Sequence, residues 1–236
     1  MQQSAAFILG IFLLFSAGAL GFTLSDGLIN YKKMDRVVLV KGLAEQEVPA
    51  DTVIWPIQYT RAGNDLSLLY EGIEEDKKRV LGFLSKNGFV KDEITMNAPL
   101  VYDKLSNQYG GSQDVAFRYI INQTISVYSN KVDEARKSMV SIEALGKEGT
   151  TFKVDPYENR VEYIYSGLNS IKPQMLKEAT LNARAAAQTF ADDSQSKLGK
   201  IKNATQGQFS IYDRDKNSPH IKKVRVVSTV EYYLND

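Results

Sequence analysis

The residues best suited to chemistry lie near the C-terminus, in the stretch DRDKNSPH that precedes the last predicted strand. Asp213, Asp215 and Asn217 match the first three ligand positions of a calcium-binding loop, D-x-D-x-N. His220, the only histidine of the chain, follows them and has the residue type of a general base. The stretch therefore predicts either a metal-dependent hydrolytic site or a polar turn before a strand.

A metal or catalytic site at this stretch needs further residues. A calcium loop requires Gly at its sixth position and Glu at its twelfth, where this chain has Ser218 and Val224. No G-x-S-x-G motif accompanies His220, and the chain contains neither H-E-x-x-H nor a Walker-type phosphate loop. Because Asp, Asn, Ser and Pro are common turn residues, the sequence favours a turn. We therefore assign no catalytic, cofactor-binding or metal-binding residue and expect no cofactor.

Three other groups of polar residues are candidates for binding, and each also has a structural explanation. The acidic run Glu74–Asp76 followed by the basic run Lys77–Arg79 predicts a solvent-exposed helix face with salt bridges. Asn182 and Arg184 are suited to bind an anion, but they flank the apolar stripe of a predicted helix and are typical of its surface. Tyrosines in predicted strands offer a binding face, although tyrosine also favours strands for packing: Tyr119, Tyr128, Tyr163, Tyr165, Tyr232 and Tyr233.

The composition is that of an ordinary globular protein. The chain has 236 residues, of which 43% are hydrophobic, with 29 basic and 28 acidic side chains. Because the charges nearly cancel and form no basic stripe, we expect no nucleic-acid partner. The absence of cysteine excludes disulfides, thiol nucleophiles and thiolate metal sites.

The N-terminus carries an uncharged apolar segment over residues 5–24, which is about the length that spans a bilayer as a helix. The small residues Ala17–Ala19 resemble a signal-peptide cleavage site, so the segment is either a membrane anchor, which we favour, or a cleaved signal. A buried core helix is the least favoured alternative. The basic residues Lys32, Lys33 and Arg36 follow the segment, and the positive-inside rule would place that side in the cytoplasm.

The remaining chain alternates between strand and helix patterns. A β-branched run from Val37 predicts a first strand, and residues 51–60 predict a second with Trp55 on its buried face. Pro56 cannot donate to a sheet ladder, so we expect this second strand to lie at an edge or to be bulged. Adjacent strands with short connections predict an α+β fold, with antiparallel sheets packed against about three helices and preceded by the N-terminal hydrophobic helix.

Helical periodicity predicts three helices, over about 65–87, 131–145 and 171–197. The first has Asn64 as its N-cap and Gly88 after its end, and the second begins with a capping-box-like pair at Asn130 and Asp133. The third ends before Gly199. Its predicted core face consists of Leu176, Ala179, Ala183, Ala187 and Phe190.

Four stretches, in order, resemble the SIMPL family, which includes periplasmic immunogenic proteins of Gram-negative bacteria. They are VVLVKGLAEQEVPADTVIWPI, GLNSIKPQMLKEAT, LNARAAAQTFADDSQSKLGKI and GQFSIYDRDKNSPHIKKVRVVSTVEYYL. The resemblance implies that residues 31–236 form an α+β extracytoplasmic domain of one or two subdomains, after a signal or anchor with a short linker at residues 1–30. It also implies oligomeric assembly, and it carries no established enzyme activity and no agreed catalytic residues.

We therefore expect a non-enzymatic protein of the bacterial cell envelope, which acts by self-assembly or by binding a partner. It is expected to be a homo-oligomer that contacts the bacterial membrane through residues 5–24. Its location would be the inner membrane, facing the periplasm, or the periplasm itself if the segment is cleaved. Roles in envelope or oxidative stress responses are suggested for the family. The alternatives are a metal-dependent hydrolase that uses Asp213, Asp215 and His220, or a carrier of a small ligand or lipid.

Overall fold

The structure is a computed structural model, and it describes residues 10, 14–25, 27–28, 36–106, 116–153 and 159–235. The hydrophobic segment 5–24 lies partly outside these residues, and its described residues, 10 and 14–24, are helical. Within the described ranges, no helix is both long enough and apolar enough to cross a membrane.

After the N-terminal helix, strands and helices alternate in the order of an α+β fold, which confirms the predicted class. The elements are β1 (Val37–Pro49), β2 (Thr52–Gly63), α1 (Leu66–Lys86), β3 (Ile94–Met96), β4 (Leu100–Asp103), β5 (Tyr119–Ser129), α2 (Val132–Ser141), α3 (Glu143–Lys147), β6 (Glu162–Ile164), α4 (Leu168–Asp193), β7 (Lys197–Gln206), β8 (Ser210–Asp213) and β9 (Ile221–Asn235). They form two sheets, one in the order β1-β9-β7 with β8 also paired to β9, and one in the order β3-β5-β2-β6 with β4 also paired to β5.

The described residues divide into two compact units. The first unit lies within Met1–Gln46, Ile171–Ser210 and Val224–Asp236, and the second unit lies within Glu47–Ser170 and Ile211–Lys223. The chain enters the second unit from the first and then returns, so that each unit contains segments that are distant in sequence.

In the first unit, helix α4 packs closely on β1 because both contribute small residues. Alternate residues of β1 point to the helix, and a Cβ atom added at Gly42 would overlap the Ala179 carbonyl oxygen and the Ala183 nitrogen. The buried stripe of α4 recurs every four residues, and it consists of Met175, Ala179, Ala183, Ala187 and Ala191. The prediction of Phe190 in this core was wrong, because Ala191 continues the four-residue spacing and leaves Phe190 59% exposed.

In the second unit, α1, α2 and α3 supply core residues to one face of the five-stranded sheet. Strands β2 and β5 pair antiparallel without interruption from Val53↔Ser129 to Gly63↔Tyr119. Their alternation buries the predicted face of β2, and the core consists of Val53, Trp55, Ile57, Tyr59, Leu69, Ile73, Val80, Leu84, Phe89, Ile121, Ile125, Val127, Ala135 and Leu145.

Pro56 lies on an interior strand, not at the predicted edge or bulge. It is in regular register opposite Ser126 of β5. On the other side of β2, within the described residues, β6 pairs only with Thr52–Ile54 and an isolated bridge joins Tyr59 to Phe152. A proline is tolerated there because the described ladder on that side does not require its missing N–H.

The helix ends differ from the predicted capping residues. Asp65, not Asn64, caps α1, since its carboxylate accepts hydrogen bonds from the backbone nitrogens of Ser67 and Leu68 at 2.8 and 3.1 Å. Gly88, as predicted, follows α1 with a positive φ of 86°. The predicted second helix is divided into α2 and α3, and the N-cap of α2 is Lys131, which makes no side-chain capping bond.

Helix α4 ends earlier than predicted. Its last residue is Asp193, and Gln195 adopts the left-handed conformation at φ 53° just after it. Gly199, predicted to end the helix, instead lies in β7. The polar residues Ser194, Gln195 and Ser196 therefore make the turn that the sequence pattern assigned to glycine.

Candidate functional site

The stretch DRDKNSPH forms the connection of a hairpin between β8 and β9. The Arg214 backbone nitrogen donates to the Ile221 carbonyl at 2.9 Å, which closes the hairpin. Asp215 organises the turn, because its carboxylate accepts a hydrogen bond from the Asn217 backbone nitrogen at 2.8 Å. This is an Asx-turn, the local structure for which aspartate is favoured in loops.

Both aspartates of the candidate site are paired with cations. Asp213 forms an ion pair with Lys222, whose side chain is largely buried. Asp215 pairs with Arg214 at 2.9 Å, and this hydrogen bond lowers the pKa of Asp215 and raises the pKa of Arg214. Across the described ranges, no group of three or more metal-binding side chains is arranged to hold an ion.

His220 is surrounded by aromatic and cationic groups. Its backbone carbonyl accepts a hydrogen bond from the Ala50 nitrogen at 2.8 Å, and its ring meets Tyr163 edge-to-face with centroids 6.1 Å apart. Burial lowers the pKa of His220, and the positive charges of Arg136 and Arg214 lower it further. These surroundings favour the neutral imidazole and hold the residue as part of the packing around the hairpin.

A groove of about 430 Å³ adjoins the hairpin. It is lined by Arg160, Val161, Glu162, Tyr163, Asp213, Lys216, Pro219 and Lys222. Its charged side chains are three cations and two carboxylates, so the groove is polar and carries a small positive excess. It is not the apolar cavity that a lipid carrier would need.

A cluster of polar side chains around one buried carboxylate, which the sequence analysis did not predict, lies in the second unit. Asp76 has no exposed side-chain surface, although the acidic run around it was predicted to face solvent. Arg61 donates to it at 2.6 and 3.1 Å, Arg79 at 3.0 Å, and the Thr150 hydroxyl at 2.8 Å. The hydrogen bond to Asp76 raises the pKa of Arg61.

Helical periodicity contained a signal for this cluster. Asp76 shares the buried stripe of α1 with Leu69, Ile73 and Val80, whereas Glu74 and Glu75 lie on the exposed side as predicted. A charged residue on an apolar stripe must find a partner, because an isolated buried charge is very costly. The partner Arg61 comes from β2, so helix periodicity alone could not identify it.

A second buried polar contact joins β2 to β5. The Tyr59 hydroxyl donates to the Gln123 side-chain oxygen at 2.8 Å, and the Gln123 amide donates to the Asn97 carbonyl at 3.0 Å. Burial, together with the negative charge of Asp76, raises the pKa of Tyr59. These contacts fix the core face of the sheet and leave no ionised phenol for chemistry.

The other predicted candidates have individual structural roles. Asn182 donates to the Leu43 carbonyl of β1 at 2.8 Å, which provides a partner for a backbone acceptor of an edge strand. Among the tyrosines, Tyr232 is buried, and Tyr233 receives the Lys202 ammonium group over its ring at 5.7 Å. Tyr128, by contrast, is 58% exposed.

These observations define a class of protein: an α+β chain of two compact units, with antiparallel sheets and an N-terminal helix. The chain belongs to the SIMPL family, described as proteins of unknown function (DUF541), whose sequence model matches residues 38–231. The predicted family is thereby confirmed, and the match covers both units. No curated protein matches the chain.

Proposed function

We propose that this SIMPL-domain protein is a non-enzymatic component of the bacterial cell envelope, where its N-terminal segment contacts the inner membrane. The domain would face the periplasm, or be periplasmic if the segment is cleaved. There it would act by self-assembly or partner binding, and a role in envelope or oxidative stress is part of the same proposal.

The observation that carries the proposal is the exposure of the N-terminal helix. Its large apolar side chains project into solvent, with exposed fractions of 76% for Leu14, 76% for Phe15 and 77% for Phe22. Apolar surface left in water costs about 25 cal/mol per Å², so a helix of this kind needs an apolar environment. Residues 5–24 carry no charged side chain, and this supports a lipid bilayer as that environment.

The absence of catalysis is supported by the pairing of the candidate residues. Asp213 and Asp215 are neutralised by Lys222 and Arg214. A metal-dependent hydrolase would need carboxylates that are available to a cation. Metal analysis of the purified full chain should find no stoichiometric ion, and an ion that is lost in Asp213→Ala would contradict this expectation and favour the metal-dependent alternative.

Location is tested by protease accessibility. We expect the full chain to sediment with membranes, to resist external protease in intact cells and to be digested in spheroplasts. A Phe15→Asp, Phe22→Asp variant should leave the membrane fraction, whereas Tyr70→Asp, which changes an exposed aromatic on α1, should remain in it. Recovery of the unaltered chain in the cytosol, protected in spheroplasts, would refute the proposal.

Self-assembly is tested separately by the mass of the full chain in solution. Light scattering in detergent should give a multiple of the 26.4 kDa protomer. A monomer at all protein concentrations would leave partner binding as the mode of action and would refute self-assembly.

A further inference from the structure

An apolar cleft of about 630 Å³ opens between helix α1 and strand β3 of the second unit. Its apolar lining comes from the end of α1, from the turn that follows and from β3, and it consists of Leu81, Phe89, Val90, Ile94 and Met96. A volume of this order holds a small ligand or a few side chains of a larger one. Because β3 lies at the end of the strand order, the hydrophobic core of this unit reaches the surface here.

The cleft has a buried floor and an exposed apolar rim. Phe89 forms the floor, since it is 3% exposed and its ring meets the ring of Trp55 edge-to-face with centroids 6.4 Å apart. Val90 and Met96 form the rim, with exposed fractions of 56% and 55%. Apolar surface that stays in water costs about 25 cal/mol per Å², so the rim gains free energy when an apolar group covers it. The cleft is therefore suited to apolar side chains.

Strand β3 offers backbone groups beside the cleft. Within the described residues it is paired on one side only, to β5, with Met96 opposite Ile125. The next residue, Asn97, donates its backbone N–H to the Thr124 carbonyl of β5 at 3.0 Å. Because bonding alternates along an antiparallel ladder, the N–H and C=O of Met96 point to the free edge. A second strand can pair with this edge while its side chains reach the cleft.

Lys91 supplies a positive charge close to the N-terminal end of β3. Of the residues that line the cleft it is the only charged one, and its side chain is exposed. Among the described residues, its ammonium group forms no ion pair. The neighbouring Glu93 is already occupied, because it pairs with Lys131 at 2.9 Å and accepts a hydrogen bond from the Val90 nitrogen at 2.8 Å. Lys91 is therefore available to a carboxylate of a partner.

We infer that the cleft binds the C-terminal end of an extended peptide from a partner protein. The peptide adds to β3 as an antiparallel strand, so that its chain ends beside Lys91 and its terminal carboxylate pairs with that ammonium group. Side chains at its last position and two positions earlier then point into the cleft, because alternate residues of a strand share one face. A fatty acid would use the cleft and Lys91 but would leave the backbone groups of Met96 unpaired. The inference rests on the partner binding in the proposed function and names the segment that is bound.

The test measures the binding of a labelled peptide to the full chain in detergent micelles, with empty micelles as the reference. Fluorescence anisotropy of SGSLSF, labelled with fluorescein at its N-terminus, should give a Kd of about 100 μM or tighter. Two altered peptides keep both apolar side chains. The C-terminal amide loses the carboxylate, and the peptide methylated on the leucine nitrogen loses a backbone donor. Each should bind about tenfold more weakly.

Two substitutions test the same contacts from the protein side. Lys91→Glu should weaken binding of the free-acid peptide about tenfold and should leave binding of the amide almost unchanged. Met96→Asp places a charge in the apolar rim and should weaken binding of both peptides. The matched controls are Lys78→Glu and Val140→Asp, which make the same changes at exposed positions outside the cleft lining and should bind as the original chain does. Because all four side chains are exposed, each variant should retain the thermal midpoint of the original chain within a few degrees.

The inference is overturned if SGSLSF does not bind at about 1 mM, or if the amide and the methylated peptide bind as tightly as the free acid. Saturable binding of dodecanoate that Met96→Asp abolishes, without binding of the peptide, would identify a fatty-acid ligand and would equally overturn it. Because every measurement is made on the purified chain, a negative result removes the peptide site and leaves the proposed membrane location, which cell fractionation tests, untouched.

Discussion

Arg61 and Asp76 form a bidentate ion pair in which the guanidinium donates to both carboxylate oxygens, at 2.6 and 3.1 Å. The pair joins β2 to α1, and Arg79 and Thr150 complete the contacts of the same carboxylate. Because the Asp76 side chain is fully buried, these partners replace the water that the charge has lost. The pair therefore fixes the position of α1 on the sheet.

Removal of the Asp76 carboxylate should strongly destabilise the second unit. In Asp76→Ala, Arg61 and Arg79 would face each other without an intervening anion, and loss of one partner from a buried pair costs about 3 kcal/mol or more. Urea unfolding followed by the fluorescence of Trp55, the single tryptophan and a buried core residue of this unit, measures the change.

The control for Asp76 lies two residues earlier on the same helix. Glu74 forms an exposed pair with Lys77, with 50% of its side chain accessible. Glu74→Ala should change the free energy of unfolding by no more than about 0.5 kcal/mol. Equal effects of the two substitutions would show that burial of Asp76 does not govern its contribution.

Sequence patterns predicted the elements better than the side-chain partners. Alternation in β2 and helical periodicity in α4 located most of the buried residues of these elements, because burial of apolar surface follows these periods directly, although Phe190 was placed in the core in error. The buried Asp76 was missed because its partner Arg61 lies on another element. The side-chain oxygen of Asn122, which is buried and has no hydrogen-bond partner among the described residues, was equally invisible, since alternation predicts which face a residue occupies but not whether its hydrogen bonds are made.

In the hairpin connection, too, the sequence predicted the local structure but not the partners of the side chains. Residue types predicted that the stretch after Asp213 would turn, and the Asx-turn at Asp215 has this origin. The ion pairs with Lys222 and Arg214 depend on the hairpin register, which composition does not encode. Pro56 was misplaced for a related reason, because the extent of a neighbouring strand cannot be read from β2 itself.

Gly42→Ala should disrupt the first unit. The added methyl group would overlap backbone atoms of Ala179 and Ala183, and backbone cannot rotate away as a side chain can. We expect the free energy of unfolding to fall by about 3 kcal/mol, or the first unit to fail to fold. Hydrogen exchange of amides in β1 and α4, compared with those in β2 and β5, locates the loss in the first unit.

The matched control is Gly82→Ala in α1. A Cβ at Gly82 meets no atom within 4 Å, and alanine is the better helix former by about 1 kcal/mol. This variant should be as stable as the original chain or slightly more stable. If Gly42→Ala also left hydrogen exchange unchanged, the close approach of α4 to β1 would be disproved.

Protonation of His220 should destabilise the second unit at mildly acidic pH. Burial, Arg136 and Arg214 lower the pKa of His220 in the folded protein, whereas Asp133 and Asp215 partly oppose the shift of that pKa. The unfolded chain therefore binds a proton first, at a pKa of about 6.5, and stability falls as the pH drops below this value. His220→Asn should reduce the fall in urea midpoint between pH 7 and pH 5. An identical pH dependence in the variant would contradict this prediction.

Asp51 should stabilise the two residues that lead into α4, Ser166 and Gly167, from a distant part of the sequence. One of its carboxylate oxygens accepts hydrogen bonds from the Ser166 backbone nitrogen at 2.7 Å, the Ser166 hydroxyl at 2.9 Å and the Gly167 nitrogen at 3.1 Å. Asp51→Ala should cost about 1–2 kcal/mol, because it removes hydrogen bonds to a charged group, and urea unfolding followed by Trp55 fluorescence measures this loss. Asp133→Ala, which removes a side chain that is 77% exposed, should cost less than about 0.5 kcal/mol.

The contribution of Asp51 to the free energy of unfolding should decrease at acidic pH. Burial raises the pKa of Asp51, but the hydrogen bonds from Ser166, Thr52 and Gly167 outweigh it, so the pKa of this carboxyl lies below its ordinary value. Stability that comes from the carboxylate is therefore complete above the unfolded pKa of about 3.9 and is lost as the pH falls through the folded pKa. The difference in unfolding free energy between the original chain and Asp51→Ala should be constant from pH 7 to pH 5 and should shrink below about pH 4. A difference that instead grew on acidification would show that the protonated carboxyl, not the carboxylate, makes the stabilising contacts with Ser166 and Gly167.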